Sequence, residues 1–547
     1  MNLNLFSFLA FWCICTNGLC EKVFQFEKNP GTSERPNFVI LFADDIGWGD
    51  FGANWNPNKD VTPNLNKMAE EGLRLTDFHA GASVCTPSRA ALLTGRLGLR
   101  TGVVQNFNQK SVAGLPLNET TVAKVLKDNG YYTGMIGKWH LGMTQKYHPR
   151  SRGFDYYYGL PYSNDMGCVD VPTYNRPECL ECPTKKSLFE EIFYGDQTAV
   201  PCGGYFSALP LYEDYGIIEQ PANLTELGDH YAEKAQNFID AASKSGKPFL
   251  LYIGFAHMHV PLTHAARFTN STDVDTIYAD TLHELDDVIG RVIKSLKQSG
   301  VYDNTLTWFT GDNGPWVMKC PFSGSQGPFL GTWLKDKYGG GSTAKTTTWE
   351  AGHREPTVIV WPNKIQPNTV SDALTSTLDI FPTLISAAGA KMSAYRHYDG
   401  IDLNDFLQGN TQDAHKNLFH PNSGDTPPFG EIDTVRMGQY KVFWKTGGTQ
   451  PDCNYKFAPV VEHDPPIVFD VVNDPAESIQ LTSETTPKLN QIIASATTLR
   501  SDLLADIASD NTTVADYSQS SDVLPCCDPT QFYCRCKKDK LRFTPRN

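Results

Sequence analysis

Residues 37–43, Asn-Phe-Val-Ile-Leu-Phe-Ala, form a short apolar run with no polar alternation, and two acids, Asp44 and Asp45, follow it directly. Residues 248–255 and 305–310 have the same character. A run of this length that is apolar at every position reads as a strand covered on both faces, which is how strands of a parallel sheet are placed. Helical patterns separate the runs: 63–71 (capped by Thr62, stopped by Gly72), 121–129, 227–243, 276–298 and 376–388. Further strands are expected at 73–78, 132–136 and 357–360. This alternation predicts an α/β domain built on a large, mostly parallel sheet flanked by helices.

The rhythm breaks twice. Residues 160–222 are rich in Pro, Cys and Tyr and read as a disulfide-tied insertion. After about residue 420, strands at 440–445 and 467–472 and a helix at 487–507 suggest a smaller α+β region with a small antiparallel sheet. The expected division is a large domain over 36–420 and a C-terminal one over 421–547, ending in a cysteine-rich tail. Residues 1–20 read as a secretory signal peptide and 21–35 as a flexible lead-in; the apolar stretch at 3–15 is too short to span a bilayer. Four sequons, at Asn118, Asn223, Asn270 and Asn511, agree with that route.

Of the 14 cysteines, Cys13, Cys15 and Cys20 fall in the leader. Setting Cys85 aside leaves an even number: a group at Cys168, Cys179, Cys182 and Cys202, a group at Cys526, Cys527, Cys534 and Cys536, and the distant pair Cys320 and Cys453. The last group has the composition of a zinc site, but in a secreted chain disulfides are the expected state. The formal charge of −14 argues against nucleic acid or an anionic membrane as partner. An anionic substrate therefore requires a local pocket of cations.

Cys85 opens a helical pattern, with Thr86 as expected N-cap, Pro87 at the first helical position and Gly95 as the stop. Free N–H groups at a helix start attract an anion, and Arg89 lies one turn in. A buried or disulfide-bonded cysteine beside a core helix is the alternative. Asp44-Asp45 and Asp312-Asn313 each follow an apolar strand, and together they offer only oxygen ligands, which suits Ca²⁺ or Mg²⁺ rather than zinc. Lys138 and His140 follow another strand at a spacing of two. His257 and His259 follow the strand at 248–255, and by spacing alone both are candidate ligands or packed core residues. Lys345-Thr346 carries a hint of a phosphate-binding loop, but the second glycine of that motif is Ala344, which excludes it.

Cys85-Thr-Pro-Ser-Arg89 followed by Thr94-Gly-Arg96 resembles the sulfatase signature. So do Gly137-Lys138-Trp139-His140, His259-Val-Pro-Leu262, Lys345-Thr-Thr and Arg354-Glu-Pro356. Pro161-Tyr-Ser163-Asn-Asp165 is similar to a pocket segment of the family in which Asn164 replaces a histidine. The resemblance covers roughly 36–536 and is closest to the arylsulfatase A and N-acetylgalactosamine-6-sulfatase branch. It implies an alkaline-phosphatase-like fold, hydrolysis of sulfate monoesters, and oxidation of Cys85 to formylglycine by a formylglycine-generating enzyme. It also implies one Ca²⁺, or Mg²⁺, on Asp44, Asp45, Cys85, Asp312 and Asn313. Arg89, His140 and His259 would join Cys85 in catalysis, with Lys138, Ser163 and Lys345 on the substrate. The substrate would be a sulfated small molecule, glycan or lipid, met in the lysosome or outside the cell, and the chain has room to form a homo-oligomer. Two other readings stay open at this point: a phosphodiesterase or phosphonate hydrolase of the same superfamily, and a catalytically inactive secreted binding protein.

Overall fold

A computed structural model describes residues 35–537 except 56–59, 172, 180, 184–206 and 424–426, together with 15–16 and 19–20. Most of the expected leader and lead-in, Cys202, and part of the 160–222 insertion lie outside the described residues. The first strand, β1 (Asn37–Ala43), is buried at every position. Its odd-numbered apolar residues Val39, Leu41 and Ala43 face one hydrophobic layer, and Phe38, Ile40 and Phe42 face the other. That two-sided burial is why the run shows no polar alternation.

The large sheet continues with β2 (Leu73–Leu75), β3 (Tyr132–Gly137), β4 (Tyr156–Gly159), β5 (Leu211–Glu213), β6 (Gly216–Gln220), β7 (Phe249–Gly254), β8 (Thr305–Gly311), β9 (Thr357–Val360) and β10 (Thr369–Ser371). A second, four-stranded antiparallel sheet runs in chain order through β11 (Asn417–Pro421), β12 (Ile432–Met437), β13 (Tyr440–Thr446) and β14 (Val461–Asp470). The chain then returns to the large sheet as β15 (Cys536–Lys537). The order across the 11 strands is β10-β2-β9-β8-β1-β7-β3-β4-β5-β6-β15. The five central strands β8, β1, β7, β3 and β4 are mutually parallel. The flanks are largely antiparallel, so the sheet is mixed.

Helices α1 (Pro63–Glu71), α4 (Leu227–Ser245) and α5 (Ile277–Gln298) cover one face through Leu65, Phe238 and Val288. Helices α2 (Cys85–Thr94), α3 (Val122–Asp128) and α6 (Ile380–Ala387) cover the other through Leu92, Leu126 and Leu384. Helix α7 (Leu489–Ser509) packs on the small sheet through Ile492 and Ala496.

Several expected boundaries move. Helix α2 starts at Cys85 with Val84 as N-cap, so Thr86 is not the cap. The Thr86 hydroxyl donates instead to the carbonyl of His140 at 2.9 Å. Gly95 ends the helix as expected, in the left-handed region at φ 68°. The 73–78 stretch divides into β2 and a two-residue strand, Phe78–His79. The 376–388 pattern begins with a 3₁₀ turn, Thr377–Asp379, before α6. Strand β14 starts six residues earlier than expected, running through Pro465 and Pro466.

Disulfides join Cys168 to Cys182, Cys320 to Cys453, Cys526 to Cys534 and Cys527 to Cys536. The terminal cysteines are thus paired with each other and do not form a zinc site. Cys85 is the free cysteine among the described residues.

Candidate active site

The five parallel strands point their C-terminal ends at one place. Asp44 follows β1, Asp312 follows β8, Lys138 and His140 follow β3, His259 lies beyond β7, and Ser163 lies beyond β4. Open α/β sheets keep their sites at this edge because the connections diverge there and leave a crevice. Helix α2 sets Cys85 and Arg89 against the same edge. Lys345 comes from the segment that leads into the short helix Glu350–His353. Every predicted site residue is buried, none more than 3% exposed.

Cys85 Sγ lies 3.5 Å from Asp44 Oδ1. Lys138 Nζ is 2.6 Å from Asp44 Oδ2. Arg89 places Nη2 at 2.7 Å and Nε at 3.0 Å from Asp312 Oδ2, and Nη2 at 3.5 Å from Asp44 Oδ1. Lys345 Nζ is 2.6 Å from Asp45 Oδ1. Asn313 Nδ2 donates to Asp45 Oδ1 at 2.7 Å, and the Asp45 N–H donates to Asp312 Oδ1 at 3.1 Å. Asp45 holds a left-handed backbone at φ 54° to make this turn, a conformation that Asp tolerates better than most residues.

Ser163 Oγ joins the two sides, 3.2 Å from Lys138 Nζ and 3.1 Å from His259 Nε2. His259 Nδ1 is 2.5 Å from the Val260 carbonyl, a contact that needs the proton on Nδ1 and leaves Nε2 as acceptor. Nε2 also stands 3.6 Å from Asp45 Oδ2. His140 Nε2 meets the Phe107 carbonyl at 2.9 Å, while its Nδ1 is buried without a partner. His257 turns away to Glu284 Oε2 at 3.2 Å, and its carbonyl accepts the Asp44 N–H at 2.8 Å.

Burial raises the Asp44 carboxyl, but the charges of Lys138 and Arg89 outweigh it and hold the group well below the usual carboxylate range. Asp312 is pushed up to about 7 by burial and by the negative charge of Asp44. Asp45 is raised by burial, despite Lys345. Burial drives the Cys85 thiol far above its ordinary value, against the pull of Lys138 and Lys345. A neutral thiol is a weak nucleophile, so an unmodified Cys85 does not suit attack on an ester.

The residues present fit a divalent cation. Ligand atoms of Asp44, Asp45, Cys85 and His259 lie within 4.8 Å of one another. Asn313 Oδ1, beside them, is buried with no hydrogen-bond partner, a costly arrangement that a cation resolves. The carboxylates Asp44, Asp45 and Asp312 are matched in number by Arg89, Lys138 and Lys345. A divalent ion therefore turns a balanced cluster into one with a positive surplus, which an oxyanion ester would neutralise.

Two residues at the site were not singled out from the sequence. Trp316 has its ring centre 4.4 Å from Lys345 Nζ and 5.5 Å from the His259 ring, so it borders both. Its signal was only its place three residues after Asn313. Glu355 is fully buried behind Asp312 with neither carboxylate oxygen partnered. A Cβ on Gly311 would come within 2.1 Å of Glu355 Oε2, so this strand end admits only glycine. The Arg354-Glu355-Pro356 phrase carried that residue, but spacing alone assigned it nothing.

A deep, oxygen-rich acid cluster ringed by cations at the C-terminal edge of a mixed sheet defines a hydrolase for oxyanionic esters. The sulfatase family model matches residues 36–390, and the model for the C-terminal region of aryl-sulfatase matches 413–536. The chain belongs to the sulfatase family and is a sulfuric ester hydrolase, acting on sulfate monoesters. It is 50% identical over 503 residues to arylsulfatase G of Rattus norvegicus, covering 92% of this chain and 93% of that protein. Identity to arylsulfatase A of Homo sapiens is 34% over 518 residues, covering 92% and 95%. The crystal structure of PsFucS1 sulfatase from Pseudoalteromonas sp. superposes with a TM-score of 0.73 at 28% identity, over 88% of this chain and 92% of that one. The resemblance read from the motifs is thereby sharpened toward the arylsulfatase G side. Sulfatases as a family carry a metal and a formylglycine.

Proposed function

We propose that this chain cleaves the sulfate ester of a sulfated glycan or lipid at Cys85, with a Ca²⁺ held by Asp44, Asp45, Asp312 and Asn313. One observation carries the reading: the free cysteine stands at the centre of the acid cluster, at a helix start, with three buried cations around it. Formylglycine made from Cys85 would, once water adds to its aldehyde, supply one hydroxyl able to attack sulfur and a second able to release the sulfate. The cation supplies charge stabilisation at the sulfuryl oxygens, and all-oxygen ligands of mixed type suit Ca²⁺, with Mg²⁺ the alternative.

The chain's own residues do the rest. Lys138 and Lys345 bind the sulfuryl oxygens in a water-poor pocket, where each charge acts more strongly than it does in solution. Arg89 holds Asp312 and Asp44 in place and favours the charged form of each. Ser163 fixes His259 and Lys138 relative to each other. Lys345 borders the leaving oxygen and can pass it a proton, and His259 can do so only after taking up a second proton at Nε2. His140, through its free Nδ1, accepts the proton that must leave position 85.

The disulfides and the short apolar leader support passage through the secretory pathway to the lysosome or the extracellular space. Among the described residues no helix is long and apolar enough to cross a membrane. The testing experiment is mass spectrometry of the peptide containing residue 85 from protein made in a secretory host, paired with turnover of an aryl sulfate and an aryl phosphate diester. Oxidised Cys85 with preferred hydrolysis of the sulfate is the expected result. An intact thiol in an active enzyme, or a preference for the phosphate diester, would overturn it.

A further inference from the structure

A cavity of about 430 Å³ opens along the connection from β7 to α5, within the ~300–1,000 Å³ typical of small-molecule sites. Tyr174, Thr225, Thr263 and Thr269 line it, together with Asp275 and Asp280. Thr263 also borders the small recess that contains His259, so the cavity lies beside the reacting centre and outside it.

Tyr174 is the aromatic wall. It is 44% exposed, and its backbone is fixed by two hydrogen bonds with Leu262, at 2.9 and 2.8 Å. An aromatic face together with three threonine hydroxyls suits a sugar ring, which has an apolar face and hydroxyl edges. The charges decide which kind of sugar. The acids of the lining are Asp275 and Asp280, and among its described residues there is no lysine or arginine. The one base, His264, already faces Asp280, with Nε2 at 3.7 Å from Oδ2. A sulfated glycan meets repulsion in such a place, whereas a neutral saccharide does not.

Asn270 belongs to the same lining and opens the sequon Asn270-Ser271-Thr272. Its backbone takes the left-handed region at φ 52°, which asparagine adopts more readily than most residues. Asp280, in the first turn of α5, fixes this turn by accepting the Asn270 N–H at 3.0 Å and the Ser271 N–H at 3.2 Å. The Asn270 side chain is exposed and is bonded to no described residue. A sugar attached to it therefore begins at the cavity wall. Asn118 and Asn511 are exposed as well, but neither belongs to this lining.

We infer that Asn270 carries an N-linked glycan whose first N-acetylglucosamine lies in this cavity against Tyr174. In the transfer, the Asn270 amide nitrogen bonds to C1 of the sugar and gives up one proton. The C1–O bond to a lipid-linked diphosphate donor breaks, and the diphosphate leaves with the bonding pair. The inference rests on passage of the chain through the secretory pathway, where such donors are used.

The test uses the full-length protein secreted from a eukaryotic host, with aryl sulfate turnover as the check on folding. Glycopeptide mass spectrometry reads occupancy at all four sequons. Peptide N-glycosidase is then applied to native and to denatured protein, and release is timed at each site. Expected is an occupied Asn270 whose native-state slowing is about tenfold or more greater than that of the other occupied sequons, because cleavage must wait for the cavity to open. Tyr174→Ala keeps the sequon and removes the wall, so it should bring release at Asn270 close to the rate at the exposed sites. A bare Asn270 beside other occupied sequons overturns the inference. So does native release at Asn270 as fast as at Asn118, or a slow release that Tyr174→Ala does not change in active protein. Four bare sequons overturn the secretory reading and this inference together.

Discussion

Lys441 Nζ lies 2.9 Å from Glu350 Oε1, with both side chains fully buried where the small sheet meets the large one. Arg354 Nη2 holds the other oxygen of Glu350 at 2.7 Å, and Glu477 sits 3.7 Å from the same lysine. Removing one partner from such a cluster leaves uncompensated charge in a dry setting. Lys441→Met is expected to cost about 3–5 kcal/mol. Denaturant unfolding followed by fluorescence measures it, and a loss under about 1 kcal/mol would show that the seam does not depend on this pair.

Cys85→Ala is expected to lower turnover of an aryl sulfate by on the order of 10⁴-fold or more, as loss of an attacking group does elsewhere. The side chain is small, so secretion and circular dichroism should be unchanged. Retained turnover in that variant would remove Cys85 from the mechanism.

Asp312→Asn is expected to reduce bound metal and kcat together, read by elemental analysis of the purified enzyme beside its kinetics. It also strips Arg89 of its main partner, so stability falls too. Asn313→Ala separates the effects, because it removes the unpartnered Oδ1 while leaving the Arg89–Asp312 pair intact. Metal content should drop in that variant with a smaller loss of stability than in Asp312→Asn, since it gives up the Nδ2 bond to Asp45 but keeps the Arg89–Asp312 pair. Full activity in chelated, metal-free protein would contradict both expectations.

His353 is pushed down to about 3, chiefly by burial. Its ring stacks on His420 with centres 4.0 Å apart, and Nδ1 donates to the Ala80 carbonyl at 2.9 Å. In the unfolded chain the same side chain takes a proton near pH 6.5. Between pH 6.5 and 3 the unfolded state therefore binds more protons than the folded one, and stability falls as pH drops through that window. His353→Asn should flatten the slope of stability against pH by at most about 1.4 kcal/mol per pH unit. An unchanged slope would show that other groups govern the acid limb.

The sequence was most readable where burial is two-sided. Strands β1, β7 and β8 appear as unbroken apolar runs, and the acids and histidines after them mark the sheet edge. Strands β4, β5 and β6 were hidden: β4 is a run of tyrosines, while β5 and β6 are short and partly exposed. Strand β14 contains Pro465 and Pro466, which a central strand would not admit, but it lies at the sheet's edge, where their missing N–H groups cost little. Thr86 has the composition of a cap, and only the three-dimensional position of His140 shows where its hydroxyl goes. The candidate ligand residues announced themselves through their charge; Trp316 and Glu355 did not, because their places at the site depend on neighbours distant in sequence.

The Cys320–Cys453 bond ties the stretch after Asn313 and Trp316 to the loop between β13 and β14, beyond Lys445. The stretch beside the acid cluster and the small sheet thus share a covalent pin. A chain folded where thiols stay reduced would keep its strands and its acid cluster, yet the stretch beside Trp316 would be held to the small sheet by noncovalent contacts alone.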